Sequence, residues 1–264
     1  MLHYTEALTR LMADIVERVP DLGHVPIDRV LVFARRGRHG ACGPNATCHW
    51  LGQPPSEPGY YFWTDPHSGD ITRRTPYFVT RWPEVVIDGT SMEWLISVGL
   101  PRFADQPAAR KRQRYFDLPS WVCRLDTIVH ELFHIGPDGN GFREMTLPDG
   151  TPDLRAHPPA FFDAVELLVR EYLATGPEPS VLAVVRDDLD TLMARHGKIV
   201  ATTFRRYPSY PQRYAEALAV QPPGPDVPLA ALPKTASRPR YTEADIVARD
   251  FTALVTSTRT IRAA

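Results

Sequence analysis

Proline occupies 27 of the 264 positions, about twice its usual share of ~5%. Because it removes a backbone donor and fixes φ, it cannot sit inside a regular helix or a central strand. The prolines therefore divide the chain before any periodicity is considered. Pro119 falls where one helical pattern starts and Pro137 just past its end. Pro158-Pro159 open the next pattern, and six more prolines crowd residues 221–240. Between these breaks the composition is that of a folded protein, 43% hydrophobic and 23% charged, which excludes a disordered or fibrous chain. A net charge of −1 argues against a protein that works mainly as a polycation on nucleic acid or a membrane surface.

The segments so defined carry distinct periods. Leu8, Leu11, Met12, Ile15 and Val19 recur at helical spacing in residues 1–20, an amphipathic helix packed on a domain. Charges at Glu6, Arg10, Asp14, Glu17 and Arg18 interrupt that stretch, so it does not read as a secretory signal. Residues 29–34, 60–64, 77–80 and 85–88 are short runs rich in β-branched and aromatic residues, the composition of strands. Residues 93–100 fit a strand or a short helix equally well. From residue 118 the pattern turns helical: Leu125, Ile128, Val129, Leu132 and Phe133 form an apolar stripe that stops at Gly136-Pro137. A structureless loop of about 20 residues follows, a length that usually signals function. Further helices are expected from Pro158 to Gly176 and from Ser180 to Arg195, then a strand at 198–204. The fold class is α+β: a small, mostly antiparallel sheet, then the helix at 118–135 and further helices. The expected organisation is a domain over 1–215, a Pro-rich linker over 216–241 and a helical tail over 242–264, whose helix starts at Thr242.

One motif carries chemistry: His130-Glu131-Leu132-Phe133-His134. Residues four apart on a helix lie about 40° from each other and one turn along the axis. Both imidazoles thus project from one face and can share a metal, with Glu131 beside them as a base rather than a ligand. This is the H-E-x-x-H signature of zinc metallopeptidases, the zincins. A catalytic zinc takes three protein ligands. His157, 23 residues past His134 and just before Pro158-Pro159, is the first candidate for the third. Glu166, 32 residues past His134 on the following helix, is the second. Asp163 is cast as a carboxylate steering a ligating imidazole. Arg143, Arg155 and Tyr115 are candidate donors to an oxyanion.

At these residues the chain resembles a loosely characterised group of metallopeptidases of phage, bacterial and archaeal origin. Their mark is a helix ending in H-E-L-x-H-I, a Gly-rich loop with an aromatic residue, and a later histidine before a helix. His130 to Ile135 matches the first element. Gly139-Asn140-Gly141-Phe142-Arg143 resembles the loop, with the aromatic after the glycine rather than before it. Ala156-His157 resembles the last. The similarity spans residues 118–165 and implies a zincin-like fold, a zinc ion (Zn2+) and His157 rather than Glu166 as third ligand. It implies peptide-bond hydrolysis with Glu131 as general base, acting on a protein or peptide. A zinc-bearing binding or regulatory protein without turnover, and a zinc hydrolase of a non-peptide amide, are the alternatives.

The remaining signals are weak. Cys42, Cys48 and His49 lack the paired spacing of a structural zinc site, and Cys123 reads as core. Three cysteines and no long apolar stretch suggest a cytoplasmic protein with no membrane span. The basic clusters at 35–38 and 110–114 read as solvated loops. Of the 30 basic residues 27 are arginine, a bias with no physical account.

Overall fold

The computed structural model describes residues 1–37, 43–52, 61–64, 71–75, 78–105, 111, 113–138, 141–153, 155, 157–205, 211, 214–217 and 239–253. The chain opens with the short strand β1 (Leu2–His3), which runs directly into helix α1 (Tyr4–Arg18). The helical stripe read from the sequence is the buried one, with Leu8, Leu11, Met12, Ile15 and Val19 all inaccessible. The strands β2 (Val30–Arg36), β3 (Ala46–Trp50), β4 (Tyr61–Thr64), β5 (Ile71–Thr75), β6 (Phe78–Arg81), β7 (Glu84–Ile87), β8 (Thr90–Ser91) and β9 (Trp94–Leu100) follow.

The ambiguous stretch before residue 100 is thus a strand. It lies at the centre of a three-stranded sheet of order β2-β9-β3, and every residue of β9 is buried. A strand covered on both faces shows no alternation, which is why its period was undecidable. The sheet is mixed: β2 runs parallel to β9 in register Val30↔Trp94, and β3 antiparallel in register Cys48↔Ile96. In place of one small sheet, the described strands form several sheets of two or three strands. Six of their nine pairings are antiparallel.

Helix α2 (Val122–Phe133) carries the histidine motif. The turn at Pro119 precedes it, with the Pro119 carbonyl accepting the Val122 N–H at 3.0 Å. Val122, Leu125, Ile128, Val129 and Leu132 are fully buried, because α2 packs against α1, against β3, and against the later helices α3 (Pro159–Ala174) and α4 (Pro179–Arg186). Burying one such side chain contributes roughly 1.5–3 kcal/mol, so α2 is anchored through its apolar faces. The loop between α2 and α3 is less bare than expected. It holds a small hairpin of β10 (Met145–Thr146) and β11 (Pro152–Asp153).

Two helical expectations need correction. The helix expected from Ser180 to Arg195 is two, α4 and α5 (Leu189–His196). The break falls at Asp187-Asp188, where the Asp188 carboxylate accepts the Thr191 N–H at 2.8 Å; an aspartate at this place caps a new helix rather than continuing the old one. The tail is strand over 240–250, not helix from Thr242. Strand β12 (Ile199–Phe204) is followed by β13 (Tyr214–Ala217), β14 (Arg240–Thr242) and β15 (Ile246–Asp250). Thr242 and Asp245 do form a reciprocal capping box, yet it closes only one 3-10 turn. The β-branched Ile246-Val247 then pair with β12 in register Thr203↔Val247. Helical backbone returns only at 252–253, and residues 254–264 and most of the expected linker, 218–238, lie outside the described residues. No helix among the described residues is long and apolar enough to cross a membrane.

Candidate metal centre

His130 lies in the last turn of α2 and His134 is its C-cap residue, still in helical conformation at φ −62°, ψ −25°. The helical four-residue spacing brings the two Nε2 atoms to 3.2 Å. His157 reaches the same point from the residue before Pro158, the N-cap of α3. Its Nε2 lies 3.1 Å from that of His130 and 3.0 Å from that of His134. The three histidines are close enough to hold a metal ion. Ligand nitrogens at about 2.0–2.1 Å from a tetrahedral zinc stand about 3.3 Å apart, so the observed triangle fits. Phe161, on the first turn of α3 and 1% exposed, packs on all three imidazoles with centroid distances of 4.9, 4.8 and 5.2 Å. Burial lowers the pKa of His130 to about 2 and of His134 to about 3, and pushes His157 below its ordinary value. All three are therefore neutral near pH 7, the state a ligand requires.

The return of the chain depends on two glycines. Gly136 donates its N–H to the Gly141 carbonyl at 2.9 Å. A Cβ on Gly136 would stand 2.9 Å from that same oxygen, so any side chain would prise the strands apart. Gly141 has φ +134°, a region closed to other residues, and a Cβ there would press on the Trp50 ring at 3.3 Å. The result is a bridge between Ile135 and Phe142. It sets the Phe142 ring against His134 at 6.0 Å and against Trp94 at 5.5 Å. Phe142 remains 49% exposed beside the histidines.

Glu131 is 5% exposed, and burial raises its pKa to about 8 against the opposing pull of Lys111 and Arg35 and a hydrogen bond from the Cys48 backbone. That bond locates β3 as well. Leu51 N–H turns toward β9, onto Glu93, and Cys48 N–H turns the other way, onto Glu131. By the alternation of an antiparallel strand, Ala46 and Trp50 present their backbone on the Glu131 side too. Among the described residues β3 pairs only with β9.

The other candidates have different employment. The Glu166 carboxylate accepts from Arg114 at 3.3 Å and from Arg170 at 3.1 Å. Asp163 pairs with Arg114 at 2.7 Å rather than with an imidazole. Tyr115 donates to the buried Asp126 at 2.8 Å. Arg155 pairs with Asp153 at 2.6 Å, and Arg143 binds backbone. None of the three proposed oxyanion donors is directed at the histidines. Cys123 is core; Cys42 lies outside the described residues, and Cys48 is a free thiol. In the basic clusters, Arg35 binds Ser97 and the Pro44 carbonyl, and Lys111 pairs with Asp126. Sequence reasoning did not find the Cys48 N–H, the Trp94–Phe142 wall, or His24. Nothing local marks them, since each acts across more than 40 residues. Comparison with protein-family models, curated proteins and solved structures returns no match for this chain.

Proposed function

We propose that this chain is a zinc-dependent peptide hydrolase with a zincin-like catalytic domain, in which His130, His134 and His157 hold the metal and Glu131 is the general base. The observation that carries this reading is the convergence of three Nε2 atoms within 3.0–3.2 Å of one another, beside a buried carboxylate. Three neutral imidazoles aim their ring nitrogens at one point, where burial disfavours protonation of His130 and His134; a shared cation satisfies all three. Imidazole donors at tetrahedral spacing suit zinc. When bound, zinc supplies Lewis acidity, polarising a carbonyl and acidifying water.

The chain's own residues supply the rest. Burial raises the pKa of Glu131 above that of an exposed carboxylate, which makes its ionised form the stronger base; as the carboxylate it accepts a proton from water, holds it and passes it to a leaving nitrogen. The Cys48 N–H fixes that carboxylate. The outward backbone groups of Ala46 and Trp50 offer strand pairing to an extended peptide. The exposed face of Phe142 lines the same side with apolar surface.

Metal content of the purified protein, combined with hydrolysis of a mixed peptide library, tests this reading. Stoichiometric zinc with cleavage that disappears in Glu131→Gln is the expected result. Zinc without cleavage would move the function to a non-catalytic metal protein or to a non-peptide amide. No uptake of zinc would end the reading.

A further inference from the structure

The last carbonyls of a helix have no partner within it, and here the second histidine sits on that end. A ligand so placed rides on backbone that ordinarily frays. In this chain the three consecutive carbonyls around it are all held. Arg143 Nε donates to the Phe133 carbonyl at 2.9 Å. The Arg143 backbone N–H donates to the His134 carbonyl at 2.7 Å. His24 Nε2 stands 3.1 Å from the Ile135 carbonyl. A carbonyl only accepts, so that His24 nitrogen carries the proton, and the nearby Arg143 Nη2, at 3.4 Å, packs on it rather than bonding. The guanidinium also lies over the Phe133 ring, 4.2 Å from its centroid. A cation there complements the negative end of α2.

The two holders come from segments far apart in the chain. His24 belongs to the connection between α1 and β2, and Arg143 to the loop returning from α2. They meet at this turn, where both bond backbone carbonyls rather than the imidazoles of the triad. We propose that Arg143 and His24 are positioning residues of the metal centre, a clamp that fixes the backbone on both sides of His134 so that its Nε2 stays in register with those of His130 and His157. This rests on the metal-binding reading of the triad.

The test is metal affinity of the full-length protein, by competition with a chromophoric chelator for zinc, together with the absorption spectrum of the cobalt(II) form. Arg143→Met keeps the bulk over Phe133 and the backbone N–H on His134 but removes the side-chain donors; it is expected to weaken zinc binding about 10–100-fold, the usual cost of losing an outer hydrogen-bond partner, and to alter the cobalt bands. His24→Leu is expected to do the same to a smaller extent. His24→Gln, whose amide can donate to Ile135, is expected to restore most of the affinity. Leu11→Ala, a core variant in α1, lowers the melting temperature without moving the affinity or the spectrum. Wild-type affinity and an unaltered cobalt spectrum in Arg143→Met would overturn the clamp. If that variant fails to fold, the His24 pair decides: equal affinities for Leu and Gln overturn it. A wild-type protein that takes up neither metal overturns the metal reading and the clamp with it, an outcome distinct from metal binding that ignores the clamp.

Discussion

The centre is assembled from two halves that obey different physics. The helical half, His130, Glu131 and His134, is spaced by the pitch of α2: four residues make one turn, and the apolar faces of the helix hold it in the core. The loop half, His157, is placed by a 23-residue excursion that turns at Gly136, bridges back at Phe142 and ends where Pro158 caps α3. The helical half takes its spacing from a local rule. The loop half owes its position to close approaches between distant segments, and Phe161 and Phe162 pack on both. The halves therefore fail in different ways when changed: one in chemistry, the other in geometry.

Changing chemistry while sparing geometry gives the largest expected effect. Glu131→Gln keeps the size of the side chain and removes the base, so turnover on a cleaved peptide falls about 10²–10⁴-fold while metal content stays stoichiometric. Parallel loss of metal would show that Glu131 belongs to the metal-holding set instead. Removing the loop half comes next. His157→Ala is expected to cut zinc affinity by more than the about 10–100-fold typical of an outer partner, with α2 still folded by circular dichroism. Glu166→Ala, which leaves Arg114 on Asp163 and Arg170 on Asp117, leaves zinc affinity in place. The reverse pattern would exchange the two as ligands.

The same division decides what the sequence revealed. His130, Glu131 and His134 were legible because helix pitch is a local rule. His157 was legible by its nearness to a Pro-Pro helix start and by the family resemblance, with Glu166 as the second candidate. What separates them is a pair of arginines that bind Glu166 from outside the helix or one turn along it, which spacing does not express. The burial of β9 erased its alternation, so residues 93–100 could not be assigned. At Thr242 a true helix-start signal was present, but pairing with β12 outweighed it after one turn. His24 and the Cys48 N–H were invisible because each reaches the site across a long stretch of chain.

A smaller effect tests how the loop half is held. Gly141→Ala forces a side chain into φ +134° and against the Trp50 ring. The strain costs about 1–3 kcal/mol, read as a lower denaturant midpoint. Because the bridge to Ile135 starts there, zinc affinity should fall with stability. A variant that loses stability and binds zinc as before would show that the return loop is dispensable to the position of His157.

The finest comparison is the opposed titration of the two kinds of group in the metal-free protein. Glu131 has its pKa raised from 4.5 to about 8 by burial. Between those values the folded state binds more protons than the unfolded, so stability falls as pH rises through that window. His130 and His134 are lowered from 6.5 to about 2 and about 3. Below 6.5 the unfolded state binds more protons there, so stability is lost as pH falls. From pH 8 down to 6.5 the Glu131 contribution dominates, and stability rises; below 6.5 His130 and His134, joined by His157, oppose one glutamate, and stability declines. Each fully engaged group contributes at most about 1.4 kcal/mol per pH unit. Chelator-treated protein should therefore be most stable near pH 6.5 in urea denaturation. Glu131→Gln should flatten the limb above 6.5 and steepen the one below, and an unchanged upper limb in that variant would exclude Glu131 as its source.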